Sequence, residues 1–272
     1  MNLVNLATLS EADIHAIWDL VGTDAPALSG TVAWSFEGNG IRTRATFIQA
    51  FRELGLAFTE LPNFLKTGEA VRDLAGYLDP FFQLYVIRES DHERLSAFAR
   101  ASGRPVINAM SARGHPCEVL TDAYYIHHSI QPIAAARICL WGPTTNVFRS
   151  WHELAQVMGL QLTQVCEERF HDAIPNVQFT AAIPPAQEVV ITDAWPTGSE
   201  SPALALTMDH LVAMGRPALL PTPPFTVGRE LLVDPMAYSA FTGYAQKTLL
   251  LPMHKAIIRF AMQARSTVES ES

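Results

Sequence analysis

Val32-Ala33-Trp34-Ser35-Phe36-Glu37-Gly38-Asn39-Gly40-Ile41-Arg42-Thr43-Arg44 decides the fold class. Its first five residues form a short run rich in β-branched and aromatic side chains and read as a strand. Gly38-Asn39-Gly40 is turn chemistry. From Ile41 to Leu54 the apolar residues return at helical spacing. A strand that turns over glycines into a helix is half of a βαβ unit. It also makes an anion site, because free backbone N–H groups and two guanidinium forks meet at the helix start. The other reading of Arg42 and Arg44 is surface charge on an amphipathic helix.

The same alternation runs outward from this stretch. Gln83–Ile87, Arg137–Trp141, Glu188–Thr192 and Arg216–Leu220 are further strand candidates. Helical spacing marks Ser10–Val21, Glu69–Tyr77, His92–Ala101, Cys117–His128, Val147–Met158 and Gln246–Arg265. Ser10 with Asp13 three residues on is a capping box. Strand–helix alternation predicts an α/β protein with two Rossmann-like domains and parallel sheets. Ser129–Arg137, with Pro132 after a helix, is the natural join. The expected domains are therefore 1–130 and 131–245, with the C-terminal helix 246–265 packing back on the first. Ligands of such sheets bind at the carboxyl ends of the strands, here in the crevice expected between the two domains.

Bulk composition removes several function classes. The 272 residues are 49% hydrophobic and carry a formal net charge of -8. Acidity on that scale argues against wrapping nucleic acid, which wants a basic face. No apolar run reaches the roughly 18 residues of a membrane span. The start, Met1-Asn2-Leu3-Val4-Asn5, does not read as a signal peptide, so a cytoplasmic location is expected. Cys117, Cys139 and Cys166 form no CxxC pair and no zinc pattern, so reduced thiols and no metal are expected.

A second stretch gives the first its meaning. Arg104-Pro105-Val106-Ile107-Asn108-Ala109-Met110 leads into Gly114-His115-Pro116-Cys117-Glu118-Val119-Leu120-Thr121-Asp122. This resembles "PVINA…HPxQxLxD" of the aspartate/ornithine carbamoyltransferase family. Phe36–Arg44 resembles the same family's "FxxxSTRTR" phosphate loop, and Val86-Ile87-Arg88 its strand that delivers an arginine to the substrate carbonyl. The resemblance implies that Arg42 and Thr43 hold a phosphate, and that Arg88, His115 and Thr43 polarise a carbonyl oxygen. Lys66-Thr67-Gly68-Glu69 resembles the lysine loop that reaches into a neighbouring subunit, which implies a homotrimer with shared sites. Lys66 also reads as a solvated charge before a helix. Without the flanking motif, His115 reads as a structural histidine.

The second half is closer to the ornithine branch. Trp141-Gly142-Pro143-Thr144-Thr145-Asn146-Val147 resembles "GDGNNVxxS", and Thr192-Asp193-Ala194-Trp195 resembles "TDxWxSMG", whose aspartate binds an α-ammonium. The aspartate branch carries arginines where Asn146 and Asp193 stand. That exchange disfavours a dicarboxylate and favours an amine-bearing acceptor. Leu220-Pro221-Thr222-Pro223 stands where the family has "HCLP", a loop whose backbone carbonyls, often beside a cis-proline, hold the carbamoyl NH2. A proline-rich loop with no ligand role is the other reading of Pro221 and Thr222.

The chain departs from the family pattern at several of these positions. Gly40 and Ile41 replace the two hydroxyl residues that open the phosphate loop. Glu118 replaces a glutamine, and Leu250 falls where a late arginine is expected. The resemblance implies transfer of a carbamoyl group from carbamoyl phosphate to an ornithine-like amine, with no cofactor. The departures leave open a non-catalytic paralog or an altered donor.

Overall fold

A computed structural model describes residues 1–24 and 26–270. The chain divides into two compact units, Met1–Thr121 with Leu249–Ser272, and Asp122–Thr248. The sequence reading puts these joins at 130/131 and 245/246.

In the first unit, α1 (Glu11–Asp19) precedes β1 (Thr31–Phe36), α2 (Ile41–Glu53) and β2 (Ala57–Glu60). Then come α3 (Val71–Leu78), β3 (Leu84–Arg88), α4 (His92–Ala101), β4 (Val106–Met110) and the first turns of α5 (Pro116–Ser129). The Ser10 capping box is present: its hydroxyl accepts from Asp13 N at 3.1 Å, and Ser10 N donates to the Asp13 carboxylate at 2.8 Å. The sheet is all parallel, in the order β2-β1-β3-β4. The chain moves outward from β1 to β2, then crosses to β3 on the other side. The order therefore reverses between β1 and β3, which end side by side with Phe36 in register with Arg88. Trp34 stacks on Phe36 at 4.9 Å and meets Phe47 and Phe51 of α2, so the helix seats on the strand through aromatic faces. Truncating such a buried aromatic ring costs about 3–5 kcal/mol.

The second unit repeats the plan with β5 (Ile138–Trp141), α6 (Asn146–Met158), β6 (Leu162–Val165), β7 (Val177–Thr180), β8 (Val189–Thr192), α7 (Met208–Ala213) and β9 (Ala218–Pro221). Its parallel sheet runs β7-β6-β5-β8-β9, and its order reverses between β5 and β8, where Trp141 is in register with Thr192. The Asp122–Ser129 part of α5 belongs to this unit.

The expectation of one helix over 246–265 needs correction. The chain forms α8 (Gly243–Lys247), breaks at Thr248 and Leu249, and resumes as α9 (Leu250–Ser270). Thr248 turns its hydroxyl onto the Ala245 carbonyl at 2.7 Å, a side-chain bond that competes with continued helix. α9 belongs to the first unit. There His254 stacks on Phe47 at 3.8 Å and bonds Thr46, and Lys255 pairs with Glu53 at 2.9 Å. β2, β4, β6, β7 and α7 lie outside the strands and helices that the sequence spacing predicts. β2 and β7 are edge strands with largely exposed or half-exposed residues, so alternation is weak there.

Candidate functional site

The reversal point of the first sheet gathers most of the predicted donor residues. Beyond β1, the chain turns through Glu37, Gly38 and Asn39 to Gly40, which caps α2. Thr43 lies in the first turn of α2, 6% exposed, while Ile41 beside it is 72% exposed and Arg42 is exposed. Arg88 ends β3 and lies over the Phe36 ring at 5.1 Å, with Arg44 at 5.4 Å from the same ring. Arg44 is paired with Glu60. Among the described residues, the Arg88 side chain forms no ion pair and donates no hydrogen bond, although it is half-buried. Burial and the nearby Arg42 lower its pKa, and Glu37 opposes them. A guanidinium presents five donors, so Arg88 is available to an anion or a carbonyl oxygen.

Lys66 lies on the same loops. Its Nζ pairs with Glu37 at 2.5 Å and lies 3.7 Å from the buried Glu89 carboxylate. Glu37 also accepts from Ser90 N at 2.7 Å. The Lys66 bond, then the Ser90 amide, hold the Glu37 carboxyl down at about 2. Arg94 of α4 ties the lysine loop down from below: it donates to the carbonyls of Leu65, Thr67 at 2.9 Å and Glu69 at 2.7 Å. A cavity of about 320 Å³ lies here, lined by Leu65, Lys66, Thr67, Glu89, Ser90, Asp91 and Arg94. The structure thus places Lys66 against its own chain's phosphate-type loop.

His115 precedes α5 and is 7% exposed; its carbonyl accepts from Val119 N at 3.2 Å. The turn before it is set by Ser111. The Ser111 hydroxyl meets His92 Nδ1 at 2.8 Å and accepts from Asn108 Nδ2 and Gly114 N, each at 3.2 Å. Pro116 at the first helical position gives up an N–H that would have no partner there. Glu118, 5% exposed, stands in the first turn of α5, where a carboxylate meets the positive end of the helix dipole.

The reversal point of the second sheet gathers Asn146 and Asp193. Gly142 follows β5 with φ +131°, a conformation glycine adopts freely, and the Trp195 indole packs against it. Gln164 fixes this loop, donating to the Gly142 carbonyl at 3.0 Å and to Thr144 at 3.1 Å, and His152 holds Gln164 at 2.8 Å. Thr145 caps α6 by accepting from Phe148 N at 3.2 Å. Asn146 accepts from Val147 N at 3.0 Å. Asp193 follows β8 and accepts from Ala194 N at 2.9 Å. Burial pushes its carboxyl up to about 6; the Thr145 hydroxyl and Ala194 amide oppose this, and Glu230 adds to it. Asp122 is 1% exposed, and its burial and the neighbouring Asp193 push its carboxyl well above the usual carboxylate range. Glu230 is buried too.

Pro221 ends β9, and Thr222 N donates to the Thr192 carbonyl at 2.7 Å, so both sit beside the Asp193 strand end. The cis bond of this loop is Pro223–Pro224. Leu250 is buried at the start of α9. No group of His, Cys, Asp and Glu side chains among the described residues could hold a metal ion. No described helix is long and apolar enough to cross a membrane. Glu37, Glu89 and Arg94 escaped the sequence reading. So did Asp122 and Glu230 as neighbours of Asp193.

Comparison with known proteins gives these arrangements relatives. A family profile described as "Aspartate/ornithine carbamoyltransferase, carbamoyl-P binding domain" matches residues 2–128. The ornithine carbamoyltransferase of Caulobacter vibrioides is 30% identical over 198 residues, covering 72% of this chain and 63% of that protein. The one from Thermosynechococcus vestitus is 28% identical over 225 residues, covering 80% and 73%. The chain thus spans less than two thirds of the Caulobacter relative's length. Among solved structures, ornithine carbamoyltransferase from Pyrococcus furiosus superposes with a TM-score of 0.86 at 21% identity, covering 96% of this chain and 97% of that one. The Thermus thermophilus protein superposes at 0.84 with 22% identity, covering 96% and 98%. At these identities the superpositions show the fold alone.

Proposed function

Since this chain belongs to the aspartate/ornithine carbamoyltransferase family, we propose that it transfers a carbamoyl group from carbamoyl phosphate to an ornithine-like amine. The observation that carries this reading is Arg88: a half-buried guanidinium, uncommitted among the described residues, beside the α2 start with Arg42 and Thr43. The amine nitrogen attacks the carbamoyl carbon, the bond from that carbon to the bridging phosphate oxygen breaks, and phosphate leaves with the electron pair and takes up the proton that the amine gives up. Negative charge builds on the carbonyl oxygen and on the leaving phosphate. Arg42, Thr43 and the α2 amides meet the phosphate; Arg88, His115 and Thr43 meet the oxygen. Neither a covalent intermediate nor a cofactor is needed, because positioning and preorganised charge carry the step.

Asn146 and Asp193 read the acceptor. Asp193 in carboxylate form binds an ammonium, and Glu230 near it disfavours a second carboxylate. Pro221 and Thr222 hold the carbamoyl NH2 through backbone carbonyls. We further propose a cytoplasmic homotrimer in which Lys66 leaves Glu37 and Glu89 to complete a neighbour's site. Small molecules and copies of this chain are its partners; nucleic acid and membranes are not.

The test is ligand-induced stabilisation followed by an acceptor screen. Carbamoyl phosphate at 100 times its Kd should add about 2.7 kcal/mol of stability. Ureido products should form from ornithine, lysine or diaminopropionate in preference to aspartate. If millimolar carbamoyl phosphate and phosphate both leave melting temperature and calorimetric heat unchanged, the donor assignment fails. Binding without product from any amine would promote a non-catalytic paralog.

A further inference from the structure

The phosphate-type loop lacks the hydroxyl residue that opens it in the family motif, and the structure supplies the reason. A Cβ placed on Gly40 would lie 2.7 Å from Arg88 Cζ and 2.8 Å from Phe36 Cζ. Real Cβ atoms essentially never come so close to another heavy atom. The space of the missing side chain is therefore filled by the Arg88 guanidinium, held against the Phe36 ring. Gly40 has φ -37° and ψ 67°, outside the positive-φ region. What a side chain here would meet is Arg88.

We propose that Gly40 is the seat of Arg88: its lack of a side chain lets the guanidinium lie at the α2 start and serve donor recognition in place of the lost hydroxyl. The position is a specificity determinant that works through Arg88. The exchange also changes the chemistry offered to the donor. A hydroxyl is one neutral donor, while a guanidinium is a charged, planar fork that grips two oxygens. Glu37, in the same loop, is taken up by Lys66 and Ser90, and among the described residues Arg88 forms no ion pair with it. The sequence comparison alone counts Gly40 as a loss. The structure makes it half of a replacement, with Arg88 as the other half.

The proposal rests on the carbamoyl-phosphate reading for the donor's identity, though not for the placement of Arg88. It makes an expectation opposite to that of the family motif: Gly40→Ser, which brings back the motif's hydroxyl, should damage the site. The obstacle is mainly the far end of a flexible side chain, so Arg88 and the Phe36 ring can shift and the variant should still fold. Phosphate and carbamoyl phosphate should be titrated by calorimetry into the wild type, Gly40→Ser, Gly40→Ala, Arg88→Ala and the Gly40→Ala/Arg88→Ala pair. Each single change should weaken binding by about 10- to 100-fold, the range of a lost charge-assisted contact. The pair should lose clearly less than the sum of the two single changes, because Gly40→Ala acts mainly through Arg88, with the Phe36 ring as the other group that its Cβ would meet. A crystal structure of Gly40→Ala should show the guanidinium off the Phe36 face. Tighter binding by Gly40→Ser, additive losses in the pair, or Arg88 still in place in the Gly40→Ala crystal would each overturn the proposal. A wild type that binds neither anion overturns the donor reading and the recognition role with it. The crystal structure still decides the seat.

Discussion

The two units build the same device twice and charge it oppositely. Each has a parallel sheet whose order reverses between neighbouring strands, with loops opening at the strand ends. In the first unit that point is cationic: Arg42 and Arg88 at a helix start, with Lys66 close by. In the second it is acidic: Asp193, with Asp122 and Glu230 packed near it. On the proposed function, one topology presents donors to an anion and acceptors to an amine. The function then lies in the loops that follow the strands, and the sheets place those loops.

The comparison breaks first at Arg88. If the first unit stabilises developing negative charge, Arg88→Ala should lower kcat about 100- to 1,000-fold, the effect of removing one preorganised donor. Steady-state assays should show most of the loss in kcat and a smaller share in acceptor KM. A loss confined to acceptor KM would mean that the two units are misassigned.

Asp193 sharpens the second half of the comparison. Asp193→Asn should raise acceptor KM about 10- to 100-fold, because an ammonium loses its charged partner. The wild type should also show a pH signature. The folded carboxyl has a pKa of about 6, above the ordinary aspartate value of 3.8, so it is mostly neutral below about 6 and cannot then pair with an ammonium. Acceptor affinity should fall about tenfold per pH unit below 6 and be flat above. Stability moves the other way. A raised folded pKa contributes stability at low pH that is lost as pH rises through about 6. Asp193→Asn should therefore raise the melting temperature at pH 7.5 and change it little near pH 4. A mutant destabilised at both pH values would show that Asp193 is held by structure rather than kept for a ligand.

How much of this was legible in the sequence depends on distance along the chain. β1, β3, β5 and β8 are buried apolar runs and announce themselves, while β2 and β7 lie at sheet edges and do not. The aromatic seat of α2 and the Ser10 cap follow from local spacing. The site's internal partners do not. Glu37 meets Lys66 across 29 residues and Ser90 across 53, and no period or motif signals such pairs. Gly40 reads as a deficit until Arg88 is seen against it. Arg94 reads as an exposed helix charge until its three carbonyl partners are known.

Arg94 supplies the next test. Arg94→Ala releases the carbonyls of Leu65, Thr67 and Glu69, so amides 65–69 should exchange with solvent faster. Its bonds are partly solvated, so the global loss should be only about 1 kcal/mol. If Lys66 acts in a neighbour's site, the same change should lower activity severalfold. Mixing Arg42→Ala with Lys66→Ala subunits should then restore some activity, and light scattering should show a trimer. A monomer at working concentration ends the shared-site reading.

Glu118 should give the smallest effect and the finest discrimination. It stands where the family motif has glutamine, buried in the first turn of α5. If it only accepts from the carbamoyl NH2, Glu118→Gln keeps an acceptor and removes a repelling charge near the phosphate. Donor affinity should then hold or rise by a small factor, and turnover should survive. The helix start also stabilises a carboxylate there by about 0.3–1 kcal/mol, so the same change should lower stability slightly. If Glu118 is the base that frees the attacking amine, Glu118→Gln removes proton transfer and costs about 100- to 10,000-fold in turnover. If it pairs with a cationic group on an unusual donor, that donor should weaken while phosphate does not. Its place one turn into the helix, three residues after His115, favours the acceptor role, because that is where the motif's glutamine acts without serving as a base. Intact donor affinity with a hundredfold loss of turnover would move Glu118 from holding the donor to activating the amine. The cationic and acidic halves of the reaction would then no longer divide between the two units.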